Sequence, residues 1–508
     1  MQTRREQVRA YRFVTRRLVS ALLIGEPETT DLPMRRLGQA IIGSVLVGAI
    51  VLAGVGVYGL LNPGGGKPGD NSLIIERETG ARYVYINSTL YPVFNYASAR
   101  LILGVADPPT QSLSRNSLRD LPRGTSYGIP NAPDSLPDAT SLVTSPWTVC
   151  SAPRSGDLPG PATRVIVGGA PPGGTTVGKN GLLVTVDGSG DRYLLWADTA
   201  LKITRAATLT ALDMASATPM AVGPALINGT VAGPDLSPPG LSGDGTADGK
   251  PVDGKAAVVG TVYHDEFGQY YIMRQDGLAT MKPTMTRLML GAGRHDHQIS
   301  AATAGTLLTG RAMEPPGFPG DLPKLVQPAS ARAAVCTTYT KVNDTSTTSV
   351  MQLYDEVPPQ LAVSATEVTL GQTTGGVRTA DHVTVAGQGA LVRTAPSPGG
   401  SGSGTTVYLV TNQGIRYPLD SRDGDAKTAL GYGSVTPTEI PVAVLELLPL
   451  GPTLDIGTAR AQVTVQAPAP PRTATPAATP SPTPSRSASP KPHASTSARP
   501  RGSSSATP

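Results

Sequence analysis

The sequence predicts a single-pass membrane protein with a mainly β (α+β) ectodomain, in which four small repeat units surround a central discontinuous domain closed by one disulfide. Three observations predict this class. One long apolar run lies near the N-terminus, a hairpin motif with glycine and tyrosine recurs four times after it, and residues 467–508 are almost entirely Ala, Pro, Ser and Thr with a few cations. Because such a tail cannot bury a core, it is predicted to be disordered.

The apolar run covers residues 40–61, which carry no charge. As a helix it would be roughly 33 Å long, enough to cross a hydrocarbon core of about 30 Å. A cleaved signal peptide is the alternative, but the preceding segment is too long for an n-region, no A-x-A site ends the run, and no cysteine follows to accept a lipid. Residues 37–61 are therefore predicted to be an uncleaved transmembrane helix.

The flanking charges predict the orientation of this helix. Eight arginines and four acids precede it, whereas the other flank begins with Lys67 and then acids. By the positive-inside rule, residues 1–36 stay in the cytoplasm, and the chain after a flexible linker at 62–72 is exported. The predicted localisation is the cell membrane, with the N-terminus cytoplasmic and the bulk extracytoplasmic.

The cytoplasmic segment, residues 1–36, has the pattern of an amphipathic helix. An apolar set recurs at helical spacing, namely Val8, Tyr11, Val14 or Thr15, Leu18 and Leu22, and arginines at positions 5, 9, 12 and 16 occupy another face. Such a helix can lie on anionic lipid or dock on an acidic partner. The alternative is a positive stop that only sets the topology.

The charge distribution argues against nucleic acid as a partner. The first 36 residues carry a net charge of +4 and the tail carries +5, whereas the whole chain carries +5. The part predicted to fold is therefore mildly acidic, and nucleic-acid binding needs a basic folded surface.

The hairpin motif is a short strand, a turn containing glycine, and a tyrosine that opens the next strand. Glycine supplies the positive φ of a tight turn, and the flanks are β-branched or aromatic. The copies lie near 73–104, 181–204, 259–290 and 405–431, and their turn residues are Gly80 and Tyr83, Gly190 and Tyr193, Gly268 and Tyr271, and Gly414 and Tyr417. The first and fourth copies share Tyr-Pro and a later Leu-Gly, which predicts that they form an outer pair of repeats and the second and third an inner pair. The alternative is a chance coincidence of short motifs.

The rest of the ectodomain, residues 73–466, is assigned to a central domain from about 140–170, 325–395 and 440–466, with strand-like stretches such as 164–167 and 363–370. Its two cysteines, Cys150 and Cys336, are the only ones in the chain. On the exported side a structural disulfide is expected, the alternative being two unrelated buried thiols. On the simple loop model, closing so long a loop is worth about 5 kcal/mol.

One segment resembles a phosphate-binding loop: Gly173, Gly178 and Lys179 have the G-x-x-x-x-G-K spacing. Asn180 replaces the Ser or Thr that would hold magnesium, a strand follows where a helix N-terminus should meet phosphate, and ATP is scarce outside the cell. The segment is thus expected to be a connection, the sequence predicts no cofactor, and an ATP site is not supported.

Other catalytic and metal sites are also weakly supported. His295, Asp296 and His297 are adjacent, so their side chains point to different sides in regular structure, and no matching ligand cluster accompanies them. They are expected in a polar loop. His264-Asp265-Glu266 falls at a hairpin turn, where acids are ordinary. No G-x-S-x-G motif or catalytic carboxylate pair is present, so we expect neither a metal site nor catalytic residues.

The chain resembles the EccB family, membrane components of type VII (ESX) secretion systems. The segments that carry the resemblance are Tyr11–Leu18, Pro33–Arg35, Arg123–Pro133 (RGTSYGIPNAP), Asp134–Pro137 and Trp147–Cys150, together with the four repeats and Cys336. It runs from about Thr3 to Gln466, and the tail lies outside it.

The resemblance implies a scaffold of the secretion membrane complex that also forms its extracytoplasmic part. The implied partners are EccC, EccD and EccE, with the MycP protease nearby, and the implied state is an oligomer within the complex. The repeats are similar to a cell-wall-binding phage lysin subunit, so the alternatives are a peptidoglycan-binding anchor protein or, as the family is sometimes labelled, an ATP hydrolase.

Overall fold

A computed structural model describes most of the chain. The described residues are 3–24, 33–61, 66–154, 160–343, 346–361, 373–374, 377–395, 406–422 and 424–463. The predicted tail at 467–508, the strand at 363–370 and residues 62–65 of the predicted linker lie outside them.

Two helices precede the ectodomain, α1 (Arg4–Ile24) and α2 (Pro33–Leu61). Within α2, the stretch Leu37–Gly59 is long and apolar enough to cross a membrane, which agrees with the predicted span. The helix begins earlier than the predicted boundary at 37. Pro33 explains this start, because the fixed φ of proline suits the first helical position and its missing N–H needs no partner there.

The first sheet follows the linker. Its elements are β1 (Ser72–Glu76), β2 (Arg82–Ile86), β3 (Thr89–Pro92), α3 (Tyr96–Leu103) and β4 (Thr110–Leu113), after which comes α4 (Arg115–Leu118). Strands β1 to β3 form an antiparallel meander, and β4 returns after the helix to pair in parallel with β1. The order across the sheet is β3-β2-β1-β4.

The second sheet repeats this order after three strands of the central domain. Those strands are β5 (Trp147–Pro153), β6 (Pro161–Val167) and β7 (Thr175–Thr176). The second sheet then contains β8 (Leu182–Val186), β9 (Arg192–Trp196), β10 (Thr199–Ile203), α5 (Ala206–Ala211), β11 (Met220–Val222), α6 (Pro224–Gly229) and β12 (Val231–Ala232). Strand β11 pairs in parallel with β8, and β12 adds a fifth strand beside β10.

The third sheet has the same five-strand order as the second. A small hairpin, β13 (Gly249–Val252) and β14 (Lys255–Ala257), precedes it. Its elements are β15 (Val262–His264), β16 (Tyr270–Arg274), β17 (Gly277–Met281), α7 (Pro283–Gly291), β18 (Asp296–Gln298), α8 (Ala301–Leu307) and β19 (Leu308–Ala312). Strand β18 pairs in parallel with β15, and β19 pairs in parallel with β17.

The central sheet draws on distant parts of the chain. Its remaining strands are β20 (Ala334–Asn343), β21 (Ser346–Tyr354) and, after a short pair β22 (Thr373–Thr374) and β23 (Val377–Arg378), β24 (His382–Val385). The order is β24-β6-β5-β20-β21-β7. Strands β5 and β6 in its middle are buried on both faces, which is the pattern of a sheet covered from both sides.

The fourth sheet departs from the predicted boundaries. It consists of β25 (Gly389–Ala395), β26 (Val407–Thr411), β27 (Arg416–Leu419) and β28 (Thr438–Pro441), with α9 (Ala426–Ala429) before β28; α10 (Val442–Leu445) and α11 (Ile456–Ala459) follow. The predicted central domain includes β25 and the last two residues of β28. Both strands belong to the fourth sheet because β25 pairs with β26, and β28 pairs with β25.

The hydrophobic cores join the sheets in pairs. The first and fourth sheets share one cluster, in which Leu73 and Val84 meet Leu409 and Tyr417. The second and third sheets share another, which includes Leu194 and Met285. The largest cluster lies around Trp147 in the central sheet and receives residues from the second and fourth sheets.

Candidate functional site

The disulfide lies in the middle of the central sheet. Cys150 on β5 and Cys336 on β20 are directly opposed and bonded, as predicted, and both are buried. Strand β5 belongs to the part of the chain before the second and third sheets, and β20 to the part after them. The bond therefore joins the two halves of the ectodomain at their shared sheet.

Helix α1 presents an uncovered surface. Tyr11 and Leu22 are 76% and 79% exposed, and Val8, Val14 and Leu18 are exposed as well. These are residues of the predicted apolar face. An exposed apolar stripe of this kind on a helix marks a contact with lipid or another protein.

The four predicted turn glycines all have left-handed backbone angles. The φ values of Gly80, Gly190, Gly268 and Gly414 lie between +71° and +81°. Three of these turns join the first and second strands of their sheets, but Gly414 joins β26 to β27, the second and third strands. The motif therefore indicates a tight turn before a strand, but not which turn of the sheet it is. In the fourth copy the motif lies one strand later in its sheet than in the other three.

The four turn tyrosines have structural partners. Tyr83 is buried, with its hydroxyl bonded to Glu76, and Lys202 lies over the Tyr193 ring. The Tyr417 ring lies against Gly451, where a Cβ atom would come within 2.3 Å of its Cε1. The hydroxyl of Tyr271 donates to Asp265. The described geometry of these tyrosines is that of anchors within each sheet.

The segment spaced like a phosphate loop packs between two sheets. Gly173 precedes the short strand β7, Gly178 and Lys179 lie between β7 and β8, and the element that follows them is a strand and not a helix. The carbonyl of Lys179 accepts from the Trp196 indole at 3.0 Å, and the carbonyl of Gly178 accepts from Ala197 N. This backbone holds the second sheet against the central sheet, and it lacks the helix N-terminus that binds phosphate in such loops.

The histidine cluster lies at an edge strand, whereas the sequence predicts a polar loop: Asp296 and His297 are on β18, and His295 precedes it. Asp296 lies on β18, where its carboxylate is 3.1 Å from Nδ1 of His264 on β15, without hydrogen-bond geometry. His297 instead lies near Tyr263. Among the residues that the structure describes, no group of three or more His, Cys, Asp or Glu side chains is placed to hold a metal ion.

Asp265, at the tip of the third hairpin, is more than the ordinary turn acid that the sequence predicts. Its buried carboxylate accepts hydrogen bonds from Phe267 N, Gln269 N and the Tyr271 hydroxyl. Burial alone would raise the pKa of Asp265, but these hydrogen bonds outweigh it and hold the pKa below its ordinary value. The locked turn holds Phe267 82% exposed. In the sequence, the position of this acid two residues before Phe267 and three before Gly268 could have indicated such a turn.

Comparison with known proteins gives one consistent family. Residues 1–467 match the family model described as "Type VII secretion system ESX-1, transport TM domain B". The protein named ESX-3 secretion system ATPase EccB3 of Mycolicibacterium smegmatis is 29% identical over 485 residues, covering 90% of each chain. ESX-5 secretion system ATPase EccB5 of Mycobacterium marinum is 27% identical, covering 89% of this chain and 91% of the relative.

Solved structures agree with these relatives. A chain of an intact ESX-5 inner membrane complex superposes with a TM-score of 0.55 at 25% identity, covering 93% of this chain and 98% of that one. The structure of an EccB3 dimer from the ESX-3 core complex gives the same TM-score and identity, covering 76% of this chain and 99% of that one.

Proposed function

This chain belongs to the EccB family of type VII secretion proteins, and from that premise we propose that it is a structural component of an ESX inner membrane complex and forms part of its extracytoplasmic side. The observation that carries the proposal is the match over residues 1–467, together with the likeness to a chain of an intact ESX-5 inner membrane complex. Both span the membrane helix as well as the ectodomain.

The orientation we propose has α1 in the cytoplasm and the four sheets outside. The arginine excess before α2 supports it through the positive-inside rule. The disulfide in the central sheet also supports it, because such bonds persist in oxidising compartments.

We propose further that the four sheets are copies of one unit. Each has three antiparallel strands, a helix, and a strand that returns in parallel to the first. The second and third sheets each have an additional, fifth strand. One hydrophobic cluster is shared by the first and fourth sheets, and another by the second and third. This supports an approximate two-fold arrangement of the chain around the central sheet, which suits a rigid scaffold.

The proposed partners are other components of the complex, namely EccC, EccD and EccE, with MycP on the extracytoplasmic side. Helix α1, with its exposed apolar stripe and its arginines, is the proposed docking element for the cytoplasmic components. The relative solved as a dimer supports self-association of this chain within the complex.

An ATP hydrolase is not proposed, although the relatives' names contain that word. The segment around Lys179 uses its backbone carbonyls to pack against the second hairpin. A phosphate-binding loop holds its ligand with backbone N–H donors and a helix N-terminus, whereas a strand follows this segment.

Docking through α1 is tested by native gel electrophoresis of membranes. One variant replaces Arg5, Arg9, Arg12 and Arg16 with Gln, and another replaces Val14 and Leu18 with Asp. We expect the chain to insert in both but to leave the large complex in at least one. Unchanged incorporation of both variants would refute the docking role of α1. As a control, four exposed basic residues of the ectodomain are replaced with Gln, which removes the same amount of positive charge.

Orientation is tested by cysteine labelling, which is simple because both native cysteines are bonded. Thr79→Cys lies on an exposed turn of the first sheet, and Gln7→Cys lies on α1. A membrane-impermeant maleimide added to intact cells should label the first and spare the second. The reverse pattern would overturn the proposed topology.

A further inference from the structure

The hairpin formed by β20 and β21 extends beyond the rest of the central sheet. Strand β5 pairs with β20 as far as Tyr339, whereas β20 and β21 stay paired for several residues more. Within the described part of the chain, the short strand β7 on the other side of β21 pairs with Gln352 and Leu353 alone. The stretch of β21 from Thr347 to Val350 therefore forms an edge of the central sheet.

The backbone groups on this edge point outward at every second residue. On the side that faces β7, the N–H of Met351 donates to the carboxylate of Asp198 at 2.7 Å, and its C=O accepts from Val177 N at 2.9 Å. Because backbone groups alternate in direction along a strand, those of Ser349 and Thr347 point to the same side. Among the residues that the structure describes, no donor or acceptor meets them there. The edge thus offers unpaired main-chain groups at both residues.

This edge lacks the features that protect other edges of the ectodomain. Proteins protect edge strands with charged residues, proline, short length or a covering segment. In the fourth sheet, β28 contains a glutamate and a proline, and β27 is covered by bridges from Leu450 and Leu454. The free stretch of β21 reads Thr-Thr-Ser-Val, without a charge or a proline, and Thr348 and Val350 are exposed. Its β-branched residues favour further strand pairing.

A second copy of the chain does not fit this edge. Antiparallel pairing about a two-fold axis would place Thr347 of one copy opposite Ser349 of the other. The same register would place the chain before Ser346 of each copy beside Met351 of the other, whose outward groups already have partners. The edge therefore suits a short strand that ends before Met351.

From this geometry we propose that Thr347–Val350 is a docking edge to which an extended segment of another protein adds as a short strand. Main-chain hydrogen bonds to Thr347 and Ser349 supply the attraction, so the partner segment is extended and has no proline at the positions that face them. Thr348 and Val350 favour uncharged, β-branched side chains beside them. The inference goes beyond the proposed scaffold role, since a scaffold needs no site for an extended chain.

The test measures peptide binding by the full chain in detergent micelles. The probe is a short peptide of alternating threonine and valine with blocked ends, and the comparison is the same peptide N-methylated at alternate residues, which removes its donors on one edge. We expect N-methylation to weaken binding about fivefold for each hydrogen bond lost. This comparison uses the parent chain, so it does not depend on the folding of a variant.

A nitroxide places the bound peptide on the chain. Both native cysteines are bonded, so a nitroxide can be attached to Thr348→Cys alone. It should broaden the NMR signals of the bound peptide, whereas a nitroxide on Thr79→Cys, at an exposed turn of the first sheet, should not.

Two substitutions at one position separate the main chain from the side chain. Ser349→Pro removes the outward N–H and leaves the hydrogen bonds between β20 and β21 in place, whereas Ser349→Ala keeps that N–H. We expect Ser349→Pro to weaken binding of the unmethylated peptide about fivefold and Ser349→Ala to bind as the parent does.

Four outcomes would overturn the proposal: equal binding of the two peptides by the parent, unchanged binding by Ser349→Pro, equal broadening from positions 79 and 348, or a disulfide-linked homodimer of Thr348→Cys in oxidised membranes, which would place a second copy on this edge. The parent is also run on native gels. Its absence from the large complex would refute the proposed scaffold role and leave the peptide result intact.

Discussion

Cys150 and Cys336 face each other across β5 and β20, with their Cα atoms 4.0 Å apart, although 186 positions separate them in the sequence. Between them the chain forms the whole of the second and third sheets. The bond thus closes a very long loop, and the strands that it joins also pair through backbone hydrogen bonds. The contributions of the disulfide and of the strand pairing to stability can be measured separately.

Removing the bond should destabilise the protein without changing its fold. In Cys150→Ala with Cys336→Ala, the strand pairing remains, but the unfolded chain regains the entropy of an open loop. The expected loss in the free energy of unfolding is about 2–5 kcal/mol. Urea unfolding of the full chain in detergent, followed by tryptophan fluorescence, measures it, since Trp147 is buried on the same strand as Cys150. A loss below about 1 kcal/mol would contradict this expectation.

Asp265→Asn should lower stability at neutral pH and lose its effect in acid. The folded pKa of Asp265 lies below the ordinary 3.8, so its stabilising contribution is present above that value and is lost as the pH falls through the folded pKa. Thermal unfolding of parent and variant from pH 7 to pH 3 should show a difference between the two melting temperatures that narrows at the acid end. A constant difference across this range would show that the carboxylate charge is not responsible. Asp276→Asn, at the exposed second turn, is the matched control.

Two turn glycines with the same backbone angle should respond differently to alanine. Gly80 has φ +71° with open space around it, whereas Gly414 has φ +74° and a Cβ there would lie 2.6 Å from Val383. Gly80→Ala should cost roughly 1–2 kcal/mol from the left-handed conformation alone. Gly414→Ala should cost about 1–3 kcal/mol more, because Val383 on β24 must move. Equal losses in urea unfolding would mean that the fourth sheet does not pack closely on the central sheet.

Lys179→Ala should leave nucleotide binding unchanged. The Lys179 carbonyl, which the substitution keeps, makes the contact to Trp196. Titration of parent and variant with a fluorescent ATP analogue and magnesium should therefore give indistinguishable curves. Saturable binding by the parent that disappears in Lys179→Ala would establish a phosphate site and refute the structural interpretation of this segment.

The local parts of the fold could be predicted from the sequence. A turn glycine followed by an aromatic or β-branched strand can be recognised within ten residues of sequence. The strands on either side of Gly80, Gly190 and Gly268 match this pattern. The apolar span and the disulfide were also predictable, because each depends on composition and compartment rather than on packing.

The returning strands could not be predicted in the same way. Strand β18 contains Asp296, His297 and Gln298, all exposed, and it is a strand only because β15 offers a free edge in parallel. Similarly, β25 is apolar and suits either neighbouring sheet, so its pairing with β26 decides its place. The contact of Arg460 with the carbonyl of Ile102 could not be predicted either, because no local pattern connects residue 460 with the first sheet.

The order of synthesis imposes a delay on the central sheet. Strands β5 and β6 are made long before β20, and at about 5–20 residues per second the interval is roughly ten to thirty seconds. During it, β5 has an open edge of the kind that promotes aggregation. The second and third sheets lie wholly within this interval, so they can fold first and bring β20 to its place. The second and third sheets can therefore be complete before the central sheet closes, and a chaperone that shields β5 would act on a nascent chain of defined length.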